Sequence, residues 1–389
     1  MLTPKVAGIV FLLSAAIAGL HRSPSLPFPA DGVPSHFDDN TFEEIISSFS
    51  EPPGVFRSEN LVSNESGFQE VIPELRRTVR PGGVYIGVGP EQNFTYIASL
   101  KPRLAFIVDI RRQNLLLHLL YKALIELSPT RADFVSMLFS RPPPPGLGPE
   151  AGVRDLFEVQ ASIEPSRELH QRNLKEVVDH LVGRRGLDLS DHDVATIGGI
   201  YEAFFLEGPS LTYSFRRQYA SGFGGYTWQR FPTYSDLMTA TDREGNPRSY
   251  LADEQSYSVV RDLHRKNAIV PIVGDFAGNK ALRSLGGYLR RRGGKVTVFY
   301  TSNVEQYLFR GGVWRQFLDN VGSLPVDNGS LFIRAYFNYG SSYTPANPAR
   351  RSSTLLSSVV QVLRAYEAGR IASYSDIIDM SRPVAEAGR

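Results

Sequence analysis

Three short segments combine residue types that can hold a small ligand, and a fourth adds groups that could work on it. Gly87-Val88-Gly89-Pro90-Glu91-Gln92 follows the apolar run VYIGVG (84–89). Two glycines one residue apart let a backbone turn sharply and approach a ligand without Cβ interference. Asp109 ends the next apolar run, LAFIVD (104–109), 22 residues after Gly87. That is near the roughly 20 expected for an acid that hydrogen-bonds ribose hydroxyls. A turn pair followed by a strand-end acid capping a helix is the plainer reading. Gly274-Asp275-Phe276 ends a third run, where an acid beside an aromatic suits an adenine ring. Asp275 can equally cap the helix that follows. Tyr300-Thr301-Ser302-Asn303, then Glu305, end a fourth. There Tyr300, Asn303 and Glu305 can orient a nucleophile or accept its proton, and Ser302 or Asn303 can instead be a helix cap.

The first segment also narrows the ligand. A dinucleotide fingerprint wants a third small residue, so that pyrophosphate reaches the helix N-terminus. Gln92 and Asn93 stand there instead. Pro90 lacks a donor, and Glu91 puts an acid where phosphate would sit. NAD and FAD are disfavoured, which leaves a nicotinamide-dependent oxidoreductase as the weakest reading. An adenosine-containing ligand without phosphate is compatible, and a cationic one such as S-adenosylmethionine tolerates or favours the acid.

Several chemistries are excluded or poorly supported. The chain has no cysteine, so no thiol nucleophile, disulfide or cysteine-ligated metal exists. Its seven histidines show no His-Glu-x-x-His spacing, and His192 between Asp191 and Asp193 reads as a solvated loop, so no metal site is expected. Neither a G-x-S-x-G elbow nor a phosphate-cradling loop occurs. A net charge of +2 with interspersed signs offers no nucleic-acid footprint.

The four apolar runs are short and end in glycine or polar residues, as strands buried on both faces do. They are VYIGVG, LAFIVD, AIVPIVGD (268–275) and KVTVFY (295–300), with SLFIRAYF (330–337) as a fifth strand. Helical stretches alternate with them at Gln92–Leu100, 111–127, 276–292 and from Val304. This alternation predicts an α/β fold with a doubly wound, mostly parallel sheet. Pro271 cannot donate to a ladder, which places its strand at an edge or a bulge. A last helix is expected from about Ser353 to Ala368, and an early one over 42–49, with Thr41 as cap and Glu44 completing a capping box. TYSDLM (233–238) and SYSDII (373–378) both read as helix starts. Residues 129–262 break the rhythm and are expected to form a large, mainly helical insertion. Its aromatic loop 213–234 could cover the ligand.

Together these motifs resemble the class I S-adenosylmethionine-dependent methyltransferase superfamily. Within it, GVYIGVGPEQNFTYIA, PTYSDLM, VPIVGDFAG and FYTSNVEQYLF are similar to a group of bacterial methyltransferase-like domains, over most of residues 40–345. The resemblance implies a Rossmann-like fold whose third strand lies at the sheet edge. It also implies that Gly87 and Gly89 contact the cofactor's methionine part, Asp109 its ribose and Asp275 its adenine, with Tyr300, Asn303 and Glu305 beside the transferred methyl group. Glu91, Asn93 and Phe276 complete the expected cofactor set. The acid-proline-proline-aromatic signature is missing after the fourth strand, so methylation of base or glutamine amino groups is not indicated.

The N-terminus points elsewhere. Lys5 precedes the uncharged run 6–20, too short for a membrane span, and Ala16-Ile17-Ala18 has the small-x-small pattern of a cleavage site. Residues 1–18 are therefore expected to be a signal peptide or anchor. Residues 19–40 would be a flexible linker, and 41–389 the α/β domain. S-adenosylmethionine is a cytoplasmic metabolite, so export would leave a methyltransferase without cofactor. Either an anchor or a misassigned start leaves the domain inside the cell, or the domain is an exported, non-catalytic module that retains the pocket for another ligand.

Overall fold

The computed structural model describes residues 32–213, 231–337 and 352–383. The expected signal segment, residues 1–18, lies outside these, as does most of the aromatic loop (214–230). Among the described residues no helix is long and apolar enough to cross a membrane.

Among the described residues, seven strands form one mixed sheet: β1 Val84–Gly87, β2 Leu104–Asp109, β3 Ile269–Val273, β4 Val296–Ser302, β5 Leu331–Phe337, β6 Ser352–Ser358 and the two-residue β7 Arg382–Pro383. Their order is β3-β2-β1-β4-β5-β6-β7. The first five are mutually parallel, whereas β6 runs antiparallel to both β5 and β7. Every residue of β1, β2 and β3 is buried. Successive side chains point to opposite faces, so both faces are covered by helices and loops, as a parallel sheet requires. Pro271 sits in β3 at the sheet edge, where its missing N–H breaks no ladder.

Helices fill the connections as the periodicity indicated. Gln92–Leu100 joins β1 to β2, Ala281–Arg291 joins β3 to β4, and Arg112–Leu127 follows β2, buried nearly all round. Between Arg131 and Arg265 the described chain is mainly helical, the expected insertion. The two echoed segments are both helix starts: Asp236 accepts from the Thr233 N–H at 2.9 Å and Asp376 from the Ser373 N–H at 2.8 Å. His192 lies in the first turn of the helix Asp191–Glu207, not in a loop, and Asp193 there is paired with Arg112.

Three expectations need correction. The linker does not extend to residue 40: Val33 and Phe37 are buried and Phe37 packs its ring near Tyr288, so the fold has begun by Val33. The first helix is Asp39–Phe49, capped by Asp38, whose carboxylate accepts from the Thr41 N–H at 2.7 Å, so Thr41 is not the cap. The helix expected from Ser353 begins only at Val359, because Ser352–Ser358 pairs with β5 as a strand, and a further helix, Tyr374–Asp379, follows it.

Candidate functional site

The chain adds β2 and β3 outward on one side of β1, then returns to place β4 on the other. Ligands of open α/β sheets bind outside the carboxyl ends of the strands at such a reversal. A cavity of about 310 Å³ lies there. Gly89, Asp109, Asp275 and Asn303, from four separate strand ends, all line it. The segment 50–67 folds across the same ends and adds Phe56, Asn60, Ser63 and Glu65 to the walls.

The turn after β1 is held from behind. Gly89 has φ +78°, a conformation that favours glycine. Gly87 lies beneath the turn, where an added Cβ would come within 1.9 Å of Asn93 Oδ1. It is absent from the cavity wall, and so is Asn93. The Asn93 amide donates to the carbonyls of Val88, Gly89 and Pro90 at 3.0, 3.2 and 2.7 Å, and Oδ1 accepts from the Tyr85 hydroxyl at 2.8 Å. His118 adds a further tie. Burial lowers its pKa to about 4, so the neutral ring donates from Nε2 to Gly89 O at 2.8 Å. Asn93 therefore shapes the loop from behind the cavity wall. Asn93→Ala should lower stability by about 2 kcal/mol, because it leaves three loop carbonyls and a buried Tyr85 hydroxyl short of partners. Urea denaturation measures it, and a loss below about 0.5 kcal/mol would show that the amide is no clamp.

Glu91 is also turned away from the cavity. Its Oε1 accepts from the Ser63 N–H at 3.4 Å, and burial raises its pKa to about 8. It is thus protonated at neutral pH and does not place a negative charge at the turn.

Asp109 lines the cavity already engaged. Its Oδ1 accepts from the Arg111 N–H and Nε, both at 2.9 Å, and Oδ2 from Arg111 Nη2 at 2.8 Å. The same guanidinium donates to Glu59 O at 2.8 Å, tying β2 to the covering segment. A carboxylate offers about four acceptor sites, so roughly one remains for a ligand hydroxyl.

At the end of β3, Asp275 is not the cap of the next helix. Glu51 fills that role, its Oε1 accepting from the N–H groups of Lys280 and Ala281 at 2.7 and 2.9 Å. Asp275 Oδ1 accepts from the Ala277 N–H at 2.9 Å within a turn, and the side chain remains on the cavity wall. Phe276 contributes to the wall too. Its ring is stacked on Phe317 at 5.7 Å and set edge-on to Phe299 at 5.0 Å, so it serves the core first.

The end of β4 divides the three residues expected to handle chemistry. Asn303 lines the cavity. Tyr300 sits behind it, its hydroxyl accepting from Gln92 Nε2 at 2.8 Å and donating to Glu65 Oε1 at 2.6 Å. Glu305 is far from solvent and is not on the cavity wall. It forms an ion pair with Arg334, in which the two side chains are 1% and 0% exposed. The pairing of β4 with β5 shifts register between Tyr300 and Ser302, and Ser302 has φ +52°. Such irregularities re-aim side chains beside sites. Here the Ser302 hydroxyl donates to Glu65.

Glu65, Arg111 and His118 are site residues that the sequence pattern does not single out. Arg111 carries a local signal, two positions after a strand-end acid. Glu65 carries none, since its partners Tyr300 and Ser302 lie more than 230 positions away. Among the described lining residues, Glu65, Asp109 and Asp275 supply three carboxyl groups against the single guanidinium of Arg111.

Fold and site thus define an α/β protein with a pocket at the strand-order reversal of a mostly parallel mixed sheet. The chain belongs to the family described as "Domain of unknown function (DUF7790)", which matches residues 60–141 and 209–372. The matched parts include β1 to β5 and the cavity's strand ends. The helices Val153–Ser162, Arg167–Val178 and Asp191–Glu207 fall in the unmatched stretch between them. No curated protein matches the chain.

Proposed function

We propose that the fold is Rossmann-like and that the cavity binds S-adenosylmethionine, making this a methyltransferase-like protein. One observation carries the reading: Gly89, Asp109, Asp275 and Asn303 meet around one cavity that spans the β1/β4 reversal. The residues also suit the chemistry. Three carboxyl groups facing one already paired guanidinium favour a cationic ligand over a phosphate-bearing one. Oδ2 of Asp109 retains an acceptor site for a ribose hydroxyl, and Val108, Ile110 and Leu308 supply apolar wall. When bound, the cofactor supplies a sulfonium-activated methyl group. The protein's part is then to hold the acceptor in line and keep water out. Asn303 is the polar side chain at the β4 end placed to orient that acceptor.

A second reading draws on a specific observation. Tyr300 and Glu305 are both committed to buried networks, so of the three expected catalytic groups only Asn303 reaches the cavity. A module that binds through this pocket without catalysis fits that arrangement. Calorimetric titration of the full chain with S-adenosylmethionine tests the shared premise. The expected result is a saturable heat and a rise in melting temperature, with NADH giving neither. No heat and no thermal shift with S-adenosylmethionine would remove the reading. Incubation with cell extract then separates enzyme from module by whether S-adenosylhomocysteine is formed.

A further inference from the structure

Glu65 is the lining acid with a buried oxygen left unpaired. It is 1% exposed, and Oε1 accepts from the hydroxyls of Tyr300 and Ser302. Its other oxygen, Oε2, has no partner among the described residues. Gln92 repeats the pattern next to it. Its Nε2 donates to Tyr300, while its Oε1 is buried and likewise lacks a partner there. Both residues line the cavity. Buried acceptors are almost always paired, so two adjacent orphans on a pocket wall ask for a ligand group that is positive or a donor. They lie between the Gly89 turn and the β4 end, the junction where the reacting part of a ligand spanning the reversal would sit.

We infer that Glu65 makes the cavity prefer a ligand bearing a positive charge at its reacting centre, selecting a sulfonium over the corresponding neutral thioether. The inference rests on the reading that S-adenosylmethionine is the ligand, and it deepens that reading by assigning the charge sensor. Glu65 can respond to charge because it titrates near neutrality. Burial raises its pKa to about 7, against the hydrogen bonds from Ser302 and Tyr300 that lower it. The ionisable groups that interact with it are Tyr85 on β1, Tyr96 on the following helix, Tyr300 on β4, Tyr374, and Glu91 on the turn. The tyrosines are all pushed upward and stay neutral. Glu91, raised further to about 8, gives up its proton later than Glu65 as pH rises. A positive ligand lowers the Glu65 pKa, so its binding strengthens as pH rises through neutrality, and a neutral ligand gains nothing from that ionisation.

The test compares the affinities of S-adenosylmethionine and S-adenosylhomocysteine, which share every group except the methyl and its charge. Calorimetry on the full chain at about pH 6 and about pH 8 should show the ratio rising about tenfold in favour of the sulfonium. In Glu65→Gln the ratio should be the same at both pH values. Ser302→Gly keeps a residue suited to φ +52° and removes a hydroxyl that stabilises the carboxylate. It should move the midpoint of the rise to higher pH, and it serves if the glutamine variant does not fold. Both ligands binding with a pH-independent ratio in the unmodified chain would overturn the charge sensor and leave the binding reading intact. A pH-dependent ratio that survives Glu65→Gln, or a midpoint unmoved by Ser302→Gly, also overturns it. If neither ligand binds a chain that circular dichroism shows folded, the binding reading falls and takes this inference with it.

Discussion

Replacing Glu305 with alanine is expected to lower the unfolding free energy by about 3–5 kcal/mol, the usual cost of stranding one partner of a buried ion pair. Arg334 is 0% exposed, and both Glu305 oxygens receive its guanidinium, Oε1 from Nη2 at 3.0 Å. Thr301 Oγ1 also donates to Glu305 at 3.2 Å, and the Ser357 and Ser381 hydroxyls accept from Arg334 Nη1. The pair therefore joins the end of β4 to β5 and β6. Without the carboxylate, a guanidinium remains buried among neutral hydroxyls. Removing both charges together, as Glu305→Leu with Arg334→Met, should recover most of the loss, because two apolar side chains need no solvation. Urea denaturation of the single and double variants measures this, and a single-variant cost below about 1 kcal/mol would contradict it.

Glu91→Gln is expected to stabilise the chain at alkaline pH by up to about 5 kcal/mol and to have little effect in acid. The folded-state pKa is raised from 4.5 to about 8, chiefly by desolvation. The folded protein thus holds this proton more tightly than the unfolded chain does. Below about pH 4.5 both states are protonated and nothing is lost. As pH climbs from there to about 8 the unfolded chain ionises first, and stability falls by up to ~1.4 kcal/mol for each pH unit. Glutamine mimics the protonated acid at every pH, and its carbonyl can still accept from the Ser63 N–H. Melting curves of both proteins near pH 4 and near pH 9 provide the comparison. Equal differences at the two pH values would mean that Glu91 is not held neutral.

The scaffold of the site was legible because short apolar runs bounded by glycine or polar residues suit strands covered on both faces. That logic located β1 to β5 and set Pro271 at an edge. It failed at SSTLLSS (352–358), a short stretch of mixed polarity whose strand state depends on pairing with β5. The same division runs through the site. Gly89, Asp109, Asp275 and Asn303 sit just after or at strand ends, so a parallel sheet necessarily gathers them. Glu91 and Asn93 occupy one turn with Gly89, yet each turns its side chain away, which no spacing could reveal.

By itself the sequence determined the order of strands and helices, and which polar residues must crowd the carboxyl edge of the sheet. Local hydrophobic pattern and glycine placement decide both. Only the tertiary structure decided which of those residues face the cavity and which are spent on holding it. It set Arg111 against Asp109, Arg334 against Glu305, and Glu65 against Tyr300 and Ser302. The physical reason is that a buried charge or hydroxyl must find a partner wherever the packed chain supplies one. For Glu65 that partner lies on a strand more than 230 positions away, a distance across which local pattern carries no information.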